Sequence, residues 1–294
     1  MNPYLKLHRT VELLHNGDFN SAWVVGKPGT GKSFQVDAKL DELKANYTVF
    51  KGDITEAKFF QFLQDNNGKI IVIRDSGKFL RQISFIDILK QATELKEPRT
   101  ISRLNYAKHE NVEPTFDFKG RLLIELNAIG KKYKEDLEAL FSRGLLHELV
   151  LSREEIEKIM WSICKTKEEA LVTKYLLTKA PQIGKSALNL RVQYMCFRLF
   201  TAAKRDKLPW QKEVDIFLET QMSESRKLLY RFCGFKQVRR MEYVKYLTIS
   251  QGWSISTAQR RIKDWLLLEE LFTDGKGKRE MLCLNPIGGA HGKR

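Results

Sequence analysis

Residues 26–33 read Gly-Lys-Pro-Gly-Thr-Gly-Lys-Ser and match the spacing G-x-x-x-x-G-K-[ST]. Gly26, Gly29 and Gly31 let the backbone wrap tightly with its N–H groups turned inward. Lys27, Pro28 and Thr30 complete the loop. Such a loop suits a polyphosphate. The amides and the positive end of the following helix meet the anion. Lys32 reaches the β- and γ-phosphates, and Ser33 offers its hydroxyl to Mg²⁺. The ligands expected are therefore ATP and Mg²⁺, bound by Gly26, Lys27, Pro28, Gly29, Thr30, Gly31, Lys32 and Ser33. A Gly-rich turn without a nucleotide is the plainer alternative.

The elements around the loop agree with it. Residues 22–25 (AWVV) form a short apolar strand, and residues 33–46 follow as a helix. Further along, residues 47–52 read as a strand, 55–66 as an amphipathic helix, 69–73 (KIIVI) as a buried strand and 83–95 as a helix. Residues 98–118 are irregular, and 121–126 (RLLIEL) is another buried strand. Strands alternating with helices predict an α/β layer with a parallel sheet. From residue 151 long helical patterns run to about residue 232, without a convincing strand. The last 60 or so residues read as short helices and a hairpin, ending in a frayed Gly-rich tail. The expected division is an α/β domain over 1–150, a helical lid over 151–224 and a basic domain over 225–294.

Composition narrows the class. The chain has 294 residues, 43% hydrophobic and 30% charged, which suits folded domains rather than disorder. Its 51 Lys+Arg against 36 Asp+Glu give a net charge of +15. That surplus favours polyanionic partners, usually nucleic acid, with a basic surface kept for solubility as the alternative. No apolar run approaches the roughly 18 residues of a membrane span. The first residues lack the apolar stretch of a signal peptide. The cysteines, Cys164, Cys196, Cys233 and Cys283, form no C-x-x-C pair, and the five histidines have no metal-ligand spacing. Reduced thiols and a cytoplasmic setting are expected.

Taken in order, these elements resemble the AAA+ ATPases, particularly small viral and plasmid-type members, over roughly residues 15–200. The resemblance implies that the strand RLLIEL ends in a sensor-1 residue, Asn127, beside the γ-phosphate, where it orients the attacking water. It implies that Arg143, in Glu138-Ala139-Leu140-Phe141-Ser142-Arg143, is an arginine finger reaching a neighbour's nucleotide. It implies that Arg191, in Ser186-Ala187-Leu188-Asn189-Leu190-Arg191, is a sensor-2 arginine. A homo-oligomer follows, a ring or spiral, six subunits being the family habit. A strand-end cap, a solvated arginine and a lid-side ion pair are the plainer readings of these three residues.

One element departs from the family. Its members end the strand equivalent to Ile70–Ile73 with two acidic residues. Here Arg74 and Asp75 follow. In one register Arg74 takes the first acidic place and Asp75 the water-polarising one. In the other, Asp75 is the Mg²⁺-side acid and the second is missing. An arginine cannot ligate Mg²⁺. Asp53, Glu56 and Glu125 are carboxylates that could come from elsewhere in the chain, and Asp75 as a plain strand-end residue is the further alternative.

Residues 225–294 hold 15 Lys+Arg and 6 Asp+Glu, a net +9, most of the chain's surplus. The pattern resembles a winged helix: a helix over 238–250 with Met241, Val244, Tyr246 and Leu247 as apolar anchors, a turn at Gln251-Gly252, and a second helix over 257–268 capped by Ser254 or Ser256. A hairpin wing follows, from Leu271–Thr273 through Asp274–Gly277 to Met281–Leu284. On the second helix Gln259, Arg260 and Lys263 share one side with Arg261 nearby, opposite Ile262, Trp265 and Leu266. Lys276, Lys278 and Arg279 load the wing. Such a module places cations in a major groove and on phosphates, or serves protein contact instead.

The leading expectation is an AAA+ ATPase acting on DNA in replication, as helicase, helicase loader or initiator, with replication proteins as partners. The alternative is a nucleotide-gated assembly or recruitment factor with little hydrolysis, which the incomplete acidic pair favours. A protein-remodelling ATPase fits less well, because no aromatic-Gly pore loop stands out.

Overall fold

Strands buried on both faces read as continuous apolar runs, and Ser21–Gly26 (SAWVVG) does so with five of its six residues buried. It forms β1, next to the centre of a parallel sheet. The computed structural model describes residues 2–52, 54–74, 82–102, 115–127, 134–184, 188–233, 237–267, 271–274 and 281–283. It divides into two units, 1–152 and 153–294.

In the first unit the order is α1 (Leu5–Asn16), β1 (Ser21–Gly26), α2 (Lys32–Glu42), β2 (Tyr47–Lys51), α3 (Glu56–Asp65), β3 (Ile70–Arg74), α4 (Ile83–Ala92), β4 (Thr100–Ser102), β5 (Thr115–Asp117), β6 (Arg121–Leu126), α5 (Lys134–Phe141) and β7 (Leu145–Leu149). The five main strands lie in the order β2-β3-β6-β1-β7, all parallel. The expected α/β class with a parallel sheet is therefore present. Five elements were not foreseen. α1 precedes the sheet, α5 follows β6, β7 adds an edge strand, and β4 and β5 pair as a small antiparallel ladder at either end of the stretch expected to be irregular.

Side chains alternate across the sheet, and this alternation sorts its two faces. Trp23, Val25, Ile71, Ile73, Leu122, Ile124 and Leu126 join one apolar cluster with Phe59, Phe60, Phe85, Leu89 and Leu140 from α3, α4 and α5. Each such fully buried side chain contributes about 1.5–3 kcal/mol relative to exposure. The alternate residues Ala22, Val24, Ile70, Val72 and Leu123 turn to the other face. So do Arg74 and Glu125, the polar residues in that register. This face is covered by α1, which packs on β1, β7 and α2, with Leu7, Val11, Leu14, Val36 and Leu40 buried.

α1 is tied to α2 by polar contacts as well. Lys39 pairs with Glu12 at 2.8 Å, and His8 Nε2 meets Gln35 Oε1 at 2.8 Å. The Tyr4 hydroxyl donates to the Thr30 carbonyl at 2.7 Å, and burial pushes its pKa up to about 12. The helix thus braces the loop that precedes α2.

The second unit holds α6 (Arg153–Ser162), α7 (Lys167–Ile183), α8 (Leu190–Arg205), α9 (Trp210–Gln221), α10 (Glu224–Cys233), β8 (Val238–Arg239), α11 (Arg240–Gln251), α12 (Ile255–Leu267), β9 (Phe272–Asp274) and β10 (Met281–Cys283). The helical run expected from residue 151 is present. α7 opens on a reciprocal capping box between Thr166 and Glu169. One apolar cluster centres on Met160, Val172, Leu176, Val192, Val214 and Leu218. A second joins Leu228 and Leu229 to Val238, Tyr243, Val244, Leu247, Ile262 and Leu282. The expected order of helix, helix and hairpin appears as α11, α12 and the antiparallel pair β9–β10. Val238 and Arg239, read from sequence as the start of a helix, form β8 and complete a three-stranded sheet in the order β8-β10-β9.

Among the described residues no helix is long and apolar enough to cross a membrane.

Candidate nucleotide site and candidate nucleic-acid surface

The loop after β1 has the geometry its glycines foretell. Gly29 and Gly31 stand at φ +75° and +81°, a region that side-chain-bearing residues rarely adopt. Gly31 is also the N-cap of α2 and offers no side-chain cap. The first-turn amides of α2 consequently face the loop as donors for an anion. Thr30 Oγ1 closes the turn on the Lys27 carbonyl at 2.8 Å.

Lys32 folds back over this loop. Its Nζ donates to the carbonyls of Gly26 at 2.5 Å and Lys27 at 3.0 Å, and reaches Asn127 Oδ1 at 3.4 Å. The fold thus brings Asn127, at the tip of β6, to the loop's lysine. Sequence order alone could only suggest that meeting.

On the helix-covered face of the sheet a polar cluster stands under α2. The Ser33 hydroxyl donates to Glu125 Oε2 in a short hydrogen bond. Arg74 Nε donates to Glu125 Oε1 at 2.7 Å. The Arg74 guanidinium also holds both oxygens of Asp37, at 2.6 and 3.1 Å, and reaches the Ser33 carbonyl at 3.3 Å. Ser33 and Asp37 lie one turn apart on α2 and so face the sheet together. Burial works against the charge on Arg74. The hydrogen bonds and charges of Asp37 and Glu125 outweigh it, and its pKa is raised. An i, i+4 pair Ser33/Asp37 below a strand-end arginine is the signal that could have pointed to Asp37, a residue the sequence reading did not single out.

Asp75, Asp53, Ser186, Lys276, Lys278 and Arg279 lie outside the described residues. Glu56 opens α3, with Thr55 as its cap.

Arg143 is not beside the loop. It precedes β7, whose first residue Leu145 pairs with Ala22, whereas the loop leaves the other end of β1 at Gly26. A full strand, about 16 Å at 3.3 Å per residue, separates the two ends. Arg143 donates to the Lys90 carbonyl at 2.6 Å and to Glu94 at 3.1 Å. Arg191, in the second unit, is exposed in the first turn of α8, behind the Asn189 cap that accepts from Val192 N at 2.9 Å.

On α12 the expected two sides are present. Gln259, Arg260, Arg261 and Lys263 are exposed, Ala258 and Ile262 are buried, and Trp265 and Leu266 are half-buried against the core. Ser254, rather than Ser256, caps the helix, its Oγ accepting from Thr257 N at 3.2 Å. Trp253 and Trp265 both pack on the apolar cluster, and the Arg261 guanidinium lies 5.8 Å from the Trp253 ring centre. On α11, Val244 and Leu247 are buried as expected and Tyr246 is half-buried. Met241 is 51% exposed, and Tyr243 takes the core position instead.

No protein-family model matches this chain, and no curated protein matches it. Solved structures do. The chain is similar to the Thermotoga maritima RuvB Holliday junction branch migration motor, at 15% identity over 96% of this chain and 91% of that one, with a TM-score of 0.49. It is similar to a DNA replication initiation factor at 15% identity, over 87% and 71% of the two chains, with a TM-score of 0.43. It is also similar to Drosophila ORC bound to DNA at 11% identity, over 96% and 83%, with a TM-score of 0.44. With TM-scores below 0.5, none of the three defines this chain's chemistry.

Proposed function

We propose that this chain is an AAA+-type ATPase that binds ATP with magnesium at subunit junctions and acts on DNA. The observation that carries the reading is the loop of residues 26–33 between β1 and α2, with Lys32 turned over it and Asn127 beside Lys32.

Ser33 and the adjoining carboxylate supply hard oxygen donors of the type magnesium takes, so the residues present fit the ion. Ser33 and that carboxylate would hold the ion, which would supply positive charge to offset the charge of the phosphates. Lys32 exchanges its loop carbonyls for phosphate oxygens, and the amides of residues 29–33 hold the rest of the anion. Asn127 accepts a hydrogen bond from the attacking water and aligns it. Asp75 is the carboxylate assigned to take the proton that this water gives up. Arg143 stands a strand's length from its own loop, which supports a role in trans: it would leave Glu94 and meet the γ-phosphate of a neighbour. Arg191 acts from a helical lid over 151–224. A ring or spiral of copies follows from a shared site.

The basic segment 225–294 is assigned to DNA as a winged helix, with Arg260, Arg261 and Lys263 on α12 and Lys276, Lys278 and Arg279 on the wing. Replication is the setting this combination suits.

A second reading is favoured by Arg74. A buried guanidinium where an acidic residue is expected suits a nucleotide-gated assembly factor with little turnover. Phosphate release by pure protein, with and without duplex DNA, separates the two. DNA-stimulated release supports the motor, and tight ATP binding without release supports the assembly factor.

A further inference from the structure

We infer that Glu125, on β6, is the acidic partner of the nucleotide's magnesium ion, and that Arg74 is its positioning residue. The inference rests on the ATP reading above and goes further by moving the carboxylate to a different strand. The family resemblance places that acid at the end of β3. The structure places Arg74 there, a residue with five donors and no acceptor.

Three observations converge on Glu125. Its Oε2 accepts from the hydroxyl of Ser33, the loop residue that would face the metal. Its side chain is only 5% exposed, so its charge is held by the surrounding protein groups rather than by solvent. Its other oxygen, Oε1, is held by Arg74 Nε, and Arg74 is anchored in turn by both oxygens of Asp37. Arg74 therefore orients Glu125 without covering the oxygen that faces Ser33. The register explains how the two strands trade roles. Ile73 pairs with Ile124, so the next residues, Arg74 and Glu125, stand side by side on the face under α2. Two carboxylates and one guanidinium leave this cluster with one net negative charge, which suits an arriving divalent cation. The Ser33 hydroxyl would then turn its lone pair to the metal while still donating to Glu125.

The test is the affinity of the full-length chain for a fluorescent ATP analogue, measured with magnesium and with EDTA. The wild type is expected to bind several-fold more tightly with magnesium. Glu125→Gln keeps the shape and the acceptor for Ser33 but removes the charge, so the magnesium enhancement should vanish while binding in EDTA remains measurable. Arg74→Lys keeps a cation without the guanidinium fork and should retain part of the enhancement, with affinity in EDTA unchanged. Should Glu125→Gln not fold, Glu125→Asp serves: withdrawing the carboxylate by one methylene should reduce the enhancement, and an undiminished one overturns the inference. Full enhancement in Glu125→Gln overturns it, most directly if Asp75→Asn loses the enhancement. A wild type that binds the analogue equally with and without magnesium also overturns it. A wild type that binds no analogue at all removes the ATP reading, and this inference with it.

Discussion

Arg74 and Glu125 stand on adjacent parallel strands and pair through Nε and Oε1 at 2.7 Å, with side chains only 8% and 5% exposed. Removing one partner of such a pair leaves an uncompensated buried charge, at a cost of about 3–5 kcal/mol. Arg74→Ala should lose stability of that order in urea unfolding. Arg74→Met combined with Glu125→Leu should recover part of it, since both buried charges then go while the more exposed Asp37 loses its partner. A single Arg74→Ala variant as stable as the wild type would contradict the geometry.

Much of this arrangement was legible in the sequence. The loop was, because glycine spacing and the Lys-Ser pair are dictated by phosphate geometry, and the apolar strands were, because burial on both faces leaves continuous apolar runs. β7 was not: LLHEL mixes half-buried and exposed residues at a sheet edge and imitates a loop. β8 was not, because two residues before a helix carry no periodicity, and pairing with the distant β10 is what makes them a strand. The Ser33–Glu125 meeting was open among three carboxylates, and only the strand order, which sets β6 between β1 and β3, selects Glu125.

His147, on β7, has a buried Nε2 without a hydrogen-bond partner among the described residues. Burial, aided by Lys6, holds its pKa below the ordinary imidazole range. The unfolded chain therefore binds this proton more readily than the folded one. The contribution of His147 is full above the unfolded value of about 6.5 and is lost as pH falls through the folded one. Between pH 7.5 and 5.5 the wild type should lose more stability than His147→Gln, as read by denaturant midpoints. Parallel slopes would show that His147 does not titrate in this window.

Arg143→Ala should leave ATP binding by single subunits nearly unchanged and suppress turnover, because the residue lies a strand's length from its own loop. Mixing it with Lys32→Ala subunits should restore some junctions that pair an intact finger with an intact loop. Turnover in the mixture no greater than the sum of the two separate variants would argue against a shared site.

Replacing Arg260, Arg261 and Lys263 with Ala removes three exposed cations from α12 while sparing Ala258 and Ile262 in its core. For every phosphate that α12 no longer neutralises, the dependence of log affinity on log salt should flatten by about 0.9. Duplex binding should weaken at low salt, with basal phosphate release unchanged. An unaltered salt slope in fluorescence anisotropy would assign this surface to protein contact.

Calorimetric titration of ATP and magnesium into the wild type and into Lys32→Ala tests the nucleotide site most directly. Lys32 is the cation that the loop holds ready, and a charge-assisted hydrogen bond contributes about 1.5–3 kcal/mol. The wild type should bind one ATP per chain, and Lys32→Ala should bind it weaker by a factor on the order of 10–100. Equal affinity in the two proteins, or no heat of binding in the folded wild type, would contradict the assignment of residues 26–33 to a nucleotide.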